Sequence, residues 1–312
     1  MNKKQLIKSL KLIAFIVVVS YVVDKIVYYS ITKISDTVYS GQAIGKLNHY
    51  LSIKDTTKLI VFGSSRANHH IDVKKLDASS FNMGVDGKFI AYSATLIKLL
   101  PKDLKQTVIL QIDPDVAYRE VYNRLETKTL MVKYHSNPII KEELDRAELT
   151  TPFQKFYWCI DYNGLALGIL KNAIFPKYDL DTYYGYDPME VHSTQKEIFK
   201  NILERNDSIV CNTNLKINPL FNSYLKEVES FCTANNKKLI TITTPIYIDK
   251  CPEDNMALKK TLEDLNIEYH DYTNFFKDNK HLDYWVDIAH MSNKGAEAFS
   301  EALSKDLNIY DE

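Results

Sequence analysis

Residues 59–66, which read LIVFGSSR, decide the fold of this chain. Four apolar residues are typical of a buried strand, and Gly-Ser-Ser marks the turn where that strand ends. Further β-rich runs at 107–112, 238–243 and 267–271 alternate with helical patterns. This alternation indicates a parallel sheet covered by helices, so we predict an α/β fold.

Helical periodicity predicts five helices, at 89–100, 194–204, 219–235, 253–265 and 293–303. The strands at 107–112 and 238–243 are separated by a stretch longer than a plain crossover requires. We interpret residues 116–205 of this stretch as an insertion. Because it is rich in Phe, Tyr and Trp, we expect it to form a lid or rim over the site.

The first 30 residues predict a membrane anchor. Lys8 and Lys11 precede a nearly unbroken apolar run at 12–23, and no small-residue cleavage site follows it. A helix over 6–29 would be long enough, at 1.5 Å per residue, to cross ~30 Å of hydrocarbon. Lysines ahead of the run place the N-terminus in the cytoplasm and the rest of the chain outside. The alternative is an amphipathic or buried helix, because the apolar run is short.

These patterns divide the chain into three parts. Residues 1–30 form a cytoplasmic tip and a signal-anchor transmembrane helix, and residues 31–57 form a juxtamembrane stalk. Residues 58–312 form the α/β domain with its insertion at about 116–205.

Charge and cysteine content exclude some classes of function. The net charge is −1, from 39 basic and 40 acidic residues, so the chain lacks the basic field of a nucleic-acid-binding protein. Cys159, Cys211, Cys232 and Cys251 have no metal-site spacing, and we expect neither a metal nor a cofactor. Cys232 lies on an apolar helix face and is predicted to be a core residue. An exported domain permits one disulfide, whose pairing stays open.

A serine, a histidine and an aspartate form the candidate catalytic set. Ser65 follows the first strand, at the edge of the sheet where doubly wound folds build their sites, and its N–H is a candidate oxyanion donor. Asp287 and His290 stand three residues apart, just before a predicted helix. That spacing lets the carboxylate hold one imidazole nitrogen while the other faces a nucleophile. Alone, the Gly-Ser-Ser turn is often only a helix cap, and a lone histidine before a helix is more often structural. Their combination with Asp287 favours serine chemistry.

Residues 81–87, FNMGVDG, supply a second candidate donor. A glycine directly after a short strand allows close backbone approach, so the Gly84 N–H is a candidate for the oxyanion hole. A simple strand-to-helix turn would give the same pattern.

Together, GSS at 63–65, NMG at 82–84 and DIAH at 287–290 resemble the ordered sequence blocks of the SGNH (GDSL-like) hydrolases, over residues 58–304. The resemblance implies a three-layer, flavodoxin-like parallel sheet with helices on both faces. It also implies that Ser65 is the nucleophile, with Ser64 at the family's aspartate position. Asp287 and His290 would complete the triad, and Gly84 would join Ser65 in the oxyanion hole.

The resemblance also implies a function, because the Gly-Ser-Ser block is similar to that of envelope-bound members that assist acyl transfer to cell-surface polymers. We therefore expect an O-acetyltransferase or acetylesterase that acts on an envelope glycan or polymer through an acyl-serine. The expected location is a bacterial cytoplasmic membrane, with the domain periplasmic or at the cell surface. A multi-pass membrane O-acyltransferase is a candidate partner. Arg66, Asn82 and Asp113 are candidate substrate-binding residues.

Asp113 marks the main departure from the family. The third block usually supplies an oxyanion-hole asparagine, in Gly-x-Asn-Asp, whereas residues 110–115 read LQIDPD. Losing one such donor costs ~3 kcal/mol of transition-state stabilisation. This departure favours the alternative, a catalytically inactive protein that binds an envelope polysaccharide or partner. The acyl group, the acceptor and the choice between hydrolysis and transfer stay open.

Overall fold

The computed structural model describes residues 2–205 and 211–307. The last residues of the predicted α/β domain, up to residue 312, lie outside them. Within the described ranges the strands are β1 (Leu59–Phe62), β2 (Ser80–Asn82), β3 (Gln106–Gln111), β4 (Lys237–Thr243) and β5 (Glu268–Asp271).

The α-helices of the same ranges are α1 (Lys3–Ser35), α2 (Ile44–Ile53), α3 (Ser65–His70), α4 (Ile90–Ile97), α5 (Pro114–Ala117), α6 (Pro138–Arg146), α7 (Pro152–Phe156), α8 (Ala166–Ile174), α9 (Ser193–Glu204), α10 (Pro219–Ala234), α11 (Pro252–Asp264) and α12 (Asn293–Asp306). Short 3-10 turns add to these, among them Trp158–Tyr162.

The strands form one parallel sheet in the order β2-β1-β3-β4-β5. Val61 lies beside Ile109, and Ile109 lies beside Ile240, so apolar side chains are in register across the three central strands. The α/β prediction is confirmed, and the four predicted strands agree with the structure to within one residue at each end. The predicted helix at 89–100 ends earlier, at Ile97. Pro101 disfavours helical backbone at the residue before it, Leu100, and helices usually end at or before such a residue.

By its internal contacts the chain forms two compact units. The anchor unit comprises Met1–Asn48 and Lys128–Asp179, and the sheet unit comprises His49–Thr127 and Leu180–Glu312. Only the middle of the predicted insertion therefore belongs to the anchor unit. The predicted stalk at 31–57 contains the end of α1 and all of α2.

The anchor unit is built on α1, whose 33 residues include a window with a mean hydropathy of 2.2. Nothing in the structure buries that window, and the helix is long and apolar enough to cross a membrane. Its C-terminal half packs against the rest of the unit in a small apolar cluster, made of Tyr28, Val38, Ile44, Val132, Tyr162 and Ile169.

The sheet unit buries the apolar strands against helices such as α3 and α12, with Trp285 and Phe299 fully enclosed. Cys232 is 1% exposed, which confirms it as a core residue. The pairing that the sequence left open is Cys211 with Cys251. Cys159 and Cys232 are free thiols.

The outer edge of β2 is covered by a segment of the same unit. The Asn82 N–H donates to the Tyr184 carbonyl at 2.8 Å. At the next residue, Gly185, the backbone adopts a φ of +84°, and a Cβ atom would lie 2.0 Å from the Asn82 carbonyl oxygen. Glycine is therefore required there for the segment to close this edge of the sheet.

Candidate active site

Ser65 is presented by a tight turn between β1 and α3. Gly63 has a φ of +150°, and a Cβ atom there would lie 2.8 Å from the Cβ atoms of both Ala67 and Gln111. Ser64 caps α3, because its Oγ accepts the Arg66 N–H at 3.3 Å. The glycine and the cap together place Ser65 at the first turn of α3, beyond the carboxyl end of β1.

Ser65 and His290 meet, although they are 225 residues apart in sequence. The Ser65 Oγ lies 2.9 Å from the His290 Nε2. The His290 Nδ1 lies 2.9 Å from the Asp287 Oδ2. These distances are within hydrogen-bond reach, so the structure brings the three predicted catalytic side chains into one series.

The loop that carries His290 is held by its own aspartate. The Asp287 Oδ1 accepts the N–H groups of Ala289 at 2.7 Å and His290 at 2.8 Å. A backbone bridge between Trp285 and Met291 closes the loop at its base. One carboxylate thus fixes both the turn and the imidazole that it presents.

The pKa values of this pair shift in opposite directions. The hydrogen bond to Asp287 raises the pKa of His290 above its usual 6.5, against the opposing effect of burial. Burial alone would raise the pKa of Asp287, but the His290 ring and the two loop N–H groups lower it below its usual 3.8. An ionised Asp287 therefore strengthens His290 as a proton acceptor.

Sequence reasoning missed His70, which supports the same loop. His70 is fully buried, its Nδ1 lies 3.0 Å from the Thr244 Oγ1, and its Nε2 accepts the Met291 N–H at 3.1 Å. Burial and the nearby Arg66 lower the pKa of His70 well below 6.5, which keeps it neutral. Its place in α3 gave no signal, because this contact depends on the fold.

Arg66 and Asp113, both predicted to bind substrate, pair with each other. The Arg66 guanidinium donates to the Asp113 Oδ1 at 2.9 Å and to the Thr244 carbonyl. Gln111 also donates to Asp113, at 2.8 Å. The charge of Asp113 is therefore compensated, and both members of the pair line the cavity beside Ser65.

Asn82 has a scaffold role instead of the predicted role in substrate binding. It is fully buried, and its Nδ2 donates to the carbonyls of Ala67 at 2.7 Å and Ile71 at 2.8 Å. Its Oδ1 accepts the Gly84 N–H at 2.8 Å. With its donors and this acceptor engaged by backbone, the amide is directed into the protein.

Gly84 is also used in the scaffold. Its N–H donates to Asn82, and a Cβ atom at this position would lie 2.5 Å from the Asn68 nitrogen. The glycine is therefore needed for close approach to α3, and Gly84 does not line the cavity. By contrast, the Ser65 N–H donates no hydrogen bond within the described residues, so this predicted donor can still serve an oxyanion.

A cavity of about 460 Å³ opens beside Ser65 and His290. Its walls include apolar side chains such as Phe89, Val116 and Ile248, together with both cysteines of the disulfide. This volume suits a small ligand or one end of a polymer. Across residues 2–205 and 211–307, no group of three His, Cys, Asp or Glu side chains is arranged to hold a metal ion.

The sequence matches no protein-family model and no curated protein.

The first prediction concerns the Arg66–Asp113 pair. Asp113→Ala should lower the free energy of unfolding by about 3 kcal/mol, because it leaves a buried guanidinium without its counter-charge. The control is Asp115→Ala, which breaks an exposed pair with Arg119 and should cost less than about 1 kcal/mol. Denaturant unfolding of the two variants checks this, and equal losses would contradict the importance of the buried pair.

The second prediction concerns pH. Only neutral His290 can accept the Ser65 proton, so covalent modification of Ser65 should accelerate as the pH rises through the raised His290 pKa. Asp287→Asn removes the group that raises this pKa, so the acid limb should move to lower pH while the maximum rate falls. The rate of fluorophosphonate labelling against pH measures both effects. The control Asp283→Asn changes an exposed acid nearby and should leave the acid limb of the pH profile in place. If Asp287→Asn also leaves the acid limb in place, Asp287 does not raise the pKa of His290.

Proposed function

We propose that the sheet unit is a serine-dependent acyl-transfer enzyme of the SGNH type, an O-acetyltransferase or acetylesterase that acts on a cell-envelope glycan or polymer. The observation that carries the proposal is the series from Ser65 Oγ through His290 to Asp287, with 2.9 Å at each step. It lies beside a cavity that is large enough for an acylated sugar.

The reaction proceeds in two halves. His290 takes the Ser65 proton while the Ser65 Oγ attacks the ester carbonyl, and the Ser65 N–H donates to the oxyanion. The bond between the carbonyl carbon and the oxygen of the leaving alcohol then breaks, and His290 returns the proton to that oxygen. In the second half His290 takes a proton from water or a sugar hydroxyl, whose oxygen attacks the acyl-serine. Ser65 leaves with the proton, and Asp287 holds the His290 ring throughout.

Kinship with SGNH hydrolases is supported by topology as well as by the three motifs. The strand order 2-1-3-4-5 is that of flavodoxin-like sheets. The Gly-Ser-Ser turn follows β1, and the Asp-x-x-His loop precedes the last described helix, α12. We therefore propose a three-layer, flavodoxin-like arrangement with helices on both faces of the sheet.

A location outside a bacterial cytoplasmic membrane is supported by two features. Lysines precede the apolar part of α1, as in helices whose N-terminus stays in the cytoplasm. The Cys211–Cys251 disulfide is typical of an oxidising compartment. An extracytoplasmic domain would receive acyl groups from a multi-pass membrane O-acyltransferase, which is the partner we propose.

One observation favours a second function, the binding of an envelope polysaccharide without catalysis. The third-block asparagine is absent, and the Gly84 N–H is engaged by Asn82. The oxyanion would then rely on the Ser65 N–H alone, and each missing donor costs ~3 kcal/mol. A slow transferase tolerates the loss of oxyanion donors, and a protein that only binds needs none.

The third prediction separates the two functions. Ser65→Ala should abolish fluorophosphonate labelling and acyl transfer, and His290→Ala should be nearly as damaging, because triad members act as a unit. The matched control is Ser64→Ala, which removes the α3 cap at a cost of about 1 kcal/mol but leaves the nucleophile in place. Labelling is read by intact mass. A folded wild-type chain that is never labelled, or a folded Ser65→Ala variant with full activity, would favour the binding function.

A further inference from the structure

Helices α7 and α8 of the anchor unit carry large apolar side chains that are exposed. On α8, Leu167, Leu170 and Ile174 recur at helical spacing on one face, while Ile169 is buried in the cluster around Tyr28. We define the α7–α8 surface as Phe153, Phe156, Leu167, Leu170, Ile174 and Phe175, which are between 39% and 83% exposed. Large apolar side chains exposed on a helix face, as on α8, are typical of an interaction surface.

This surface adjoins the part of α1 that is suited to the membrane. The Phe156 ring lies 4.9 Å from that of Tyr21, and the neighbouring Tyr157 hydroxyl lies 2.8 Å from the Ser20 Oγ. A span needs ~20 residues, so a span that begins at Leu6 ends near Lys25 and has Ser20 and Tyr21 in its last turns. The end of α7 therefore lies at the level where such a span leaves the lipid.

A buried carboxylate fastens the unit at that depth. Asp24 is 8% exposed and accepts the N–H groups of Trp158 at 2.9 Å and Cys159 at 3.0 Å. The Lys25 ammonium donates to Asp24 at 2.7 Å and to the Phe156 carbonyl at 2.6 Å. Charged groups in an apolar helix are costly unless they are paired in this way, so these contacts fix the 3-10 turn Trp158–Tyr162 against α1.

The chemistry of the surroundings fits the interface of a bilayer. The Lys25 ammonium lies 4.4 Å from the Trp158 ring and 4.3 Å from the Tyr21 ring, and Trp and Tyr favour the headgroup level of membranes. Lys171 on α8 is exposed among the apolar residues. Its stem can lie along acyl chains while its ammonium group reaches lipid phosphates.

We propose that α7 and α8 lie in the membrane interface on the side where α1 emerges, with the α7–α8 surface buried among phospholipid acyl chains. The protein is thus held by a spanning helix and by a second, monotopic element. The inference rests on the proposed role of α1 as a membrane span. It adds that α7 and α8, in the part of the predicted insertion that belongs to the anchor unit, contact the bilayer.

The test is photocrosslinking of the full chain in its native membranes. Phe153→p-benzoylphenylalanine and Phe175→p-benzoylphenylalanine replace one exposed aromatic ring by another, and mass spectrometry identifies what each position captures. We expect phospholipid adducts at both positions and at Val18→p-benzoylphenylalanine within α1. The control Glu142→p-benzoylphenylalanine, at an exposed position on α6 of the same unit, should capture no lipid.

The outcomes distinguish the interfacial placement of α7 and α8 from the membrane span of α1. Lipid adducts at Val18 without any at Phe153 and Phe175 would overturn the interfacial placement and leave the spanning helix intact. Adducts to another polypeptide at Phe153 and Phe175 would also overturn it, since the surface would then be a protein interface. An absence of lipid adducts at Val18 as well would overturn the membrane span and the inference with it.

Discussion

The hydrogen bond between Ser65 and His290 joins positions 225 residues apart, and the sheet unit supplies the rigid frame that this requires. On one side, the frame is the turn after β1. The Ser64 N–H and Oγ both donate to the Gln111 Oε1, at 3.1 and 3.0 Å, so the end of β3 holds the turn that presents Ser65. On the other side, the frame is the loop that carries His290, in which the Asp287 carboxylate accepts the N–H groups of Ala289 and His290. Neither side chain could be positioned within a few tenths of an ångström by a flexible loop alone.

Around this contact the protein buries polar groups and pairs most of them, although the Arg66 Nε has no partner among the described residues. Arg66 with Asp113, and His70 with Thr244 and the Met291 N–H, link α3 to the end of β3 and to the loops that follow β4 and precede α12. Hydrogen bonds of this kind hold the elements around Ser65 and His290 in one arrangement. The charge of Asp113 is matched by the neighbouring Arg66 guanidinium.

Much of the fold was predictable because its signals are local. The apolar runs gave the strands, and the serine turn and the Asp-x-x-His spacing gave three residues that the structure brings together. The roles of Asn82, Gly84 and His70 were not predictable, because each depends on a neighbour brought close by the fold, such as Ala67, Asn68 or Met291. The same holds for the Cys211–Cys251 pairing and for the grouping of Lys128–Asp179 with α1, which no periodicity encodes.

The most direct measurement of the central claim is the mass of the chain after a brief reaction with p-nitrophenyl acetate and an acid quench. If Ser65 is the nucleophile, the chain should carry one acetyl group, and peptide mapping should place it on Ser65. The Ser65→Ala variant should carry none. A folded wild-type chain without an acyl adduct, or with the adduct on another residue, would contradict the proposed acyl-serine chemistry.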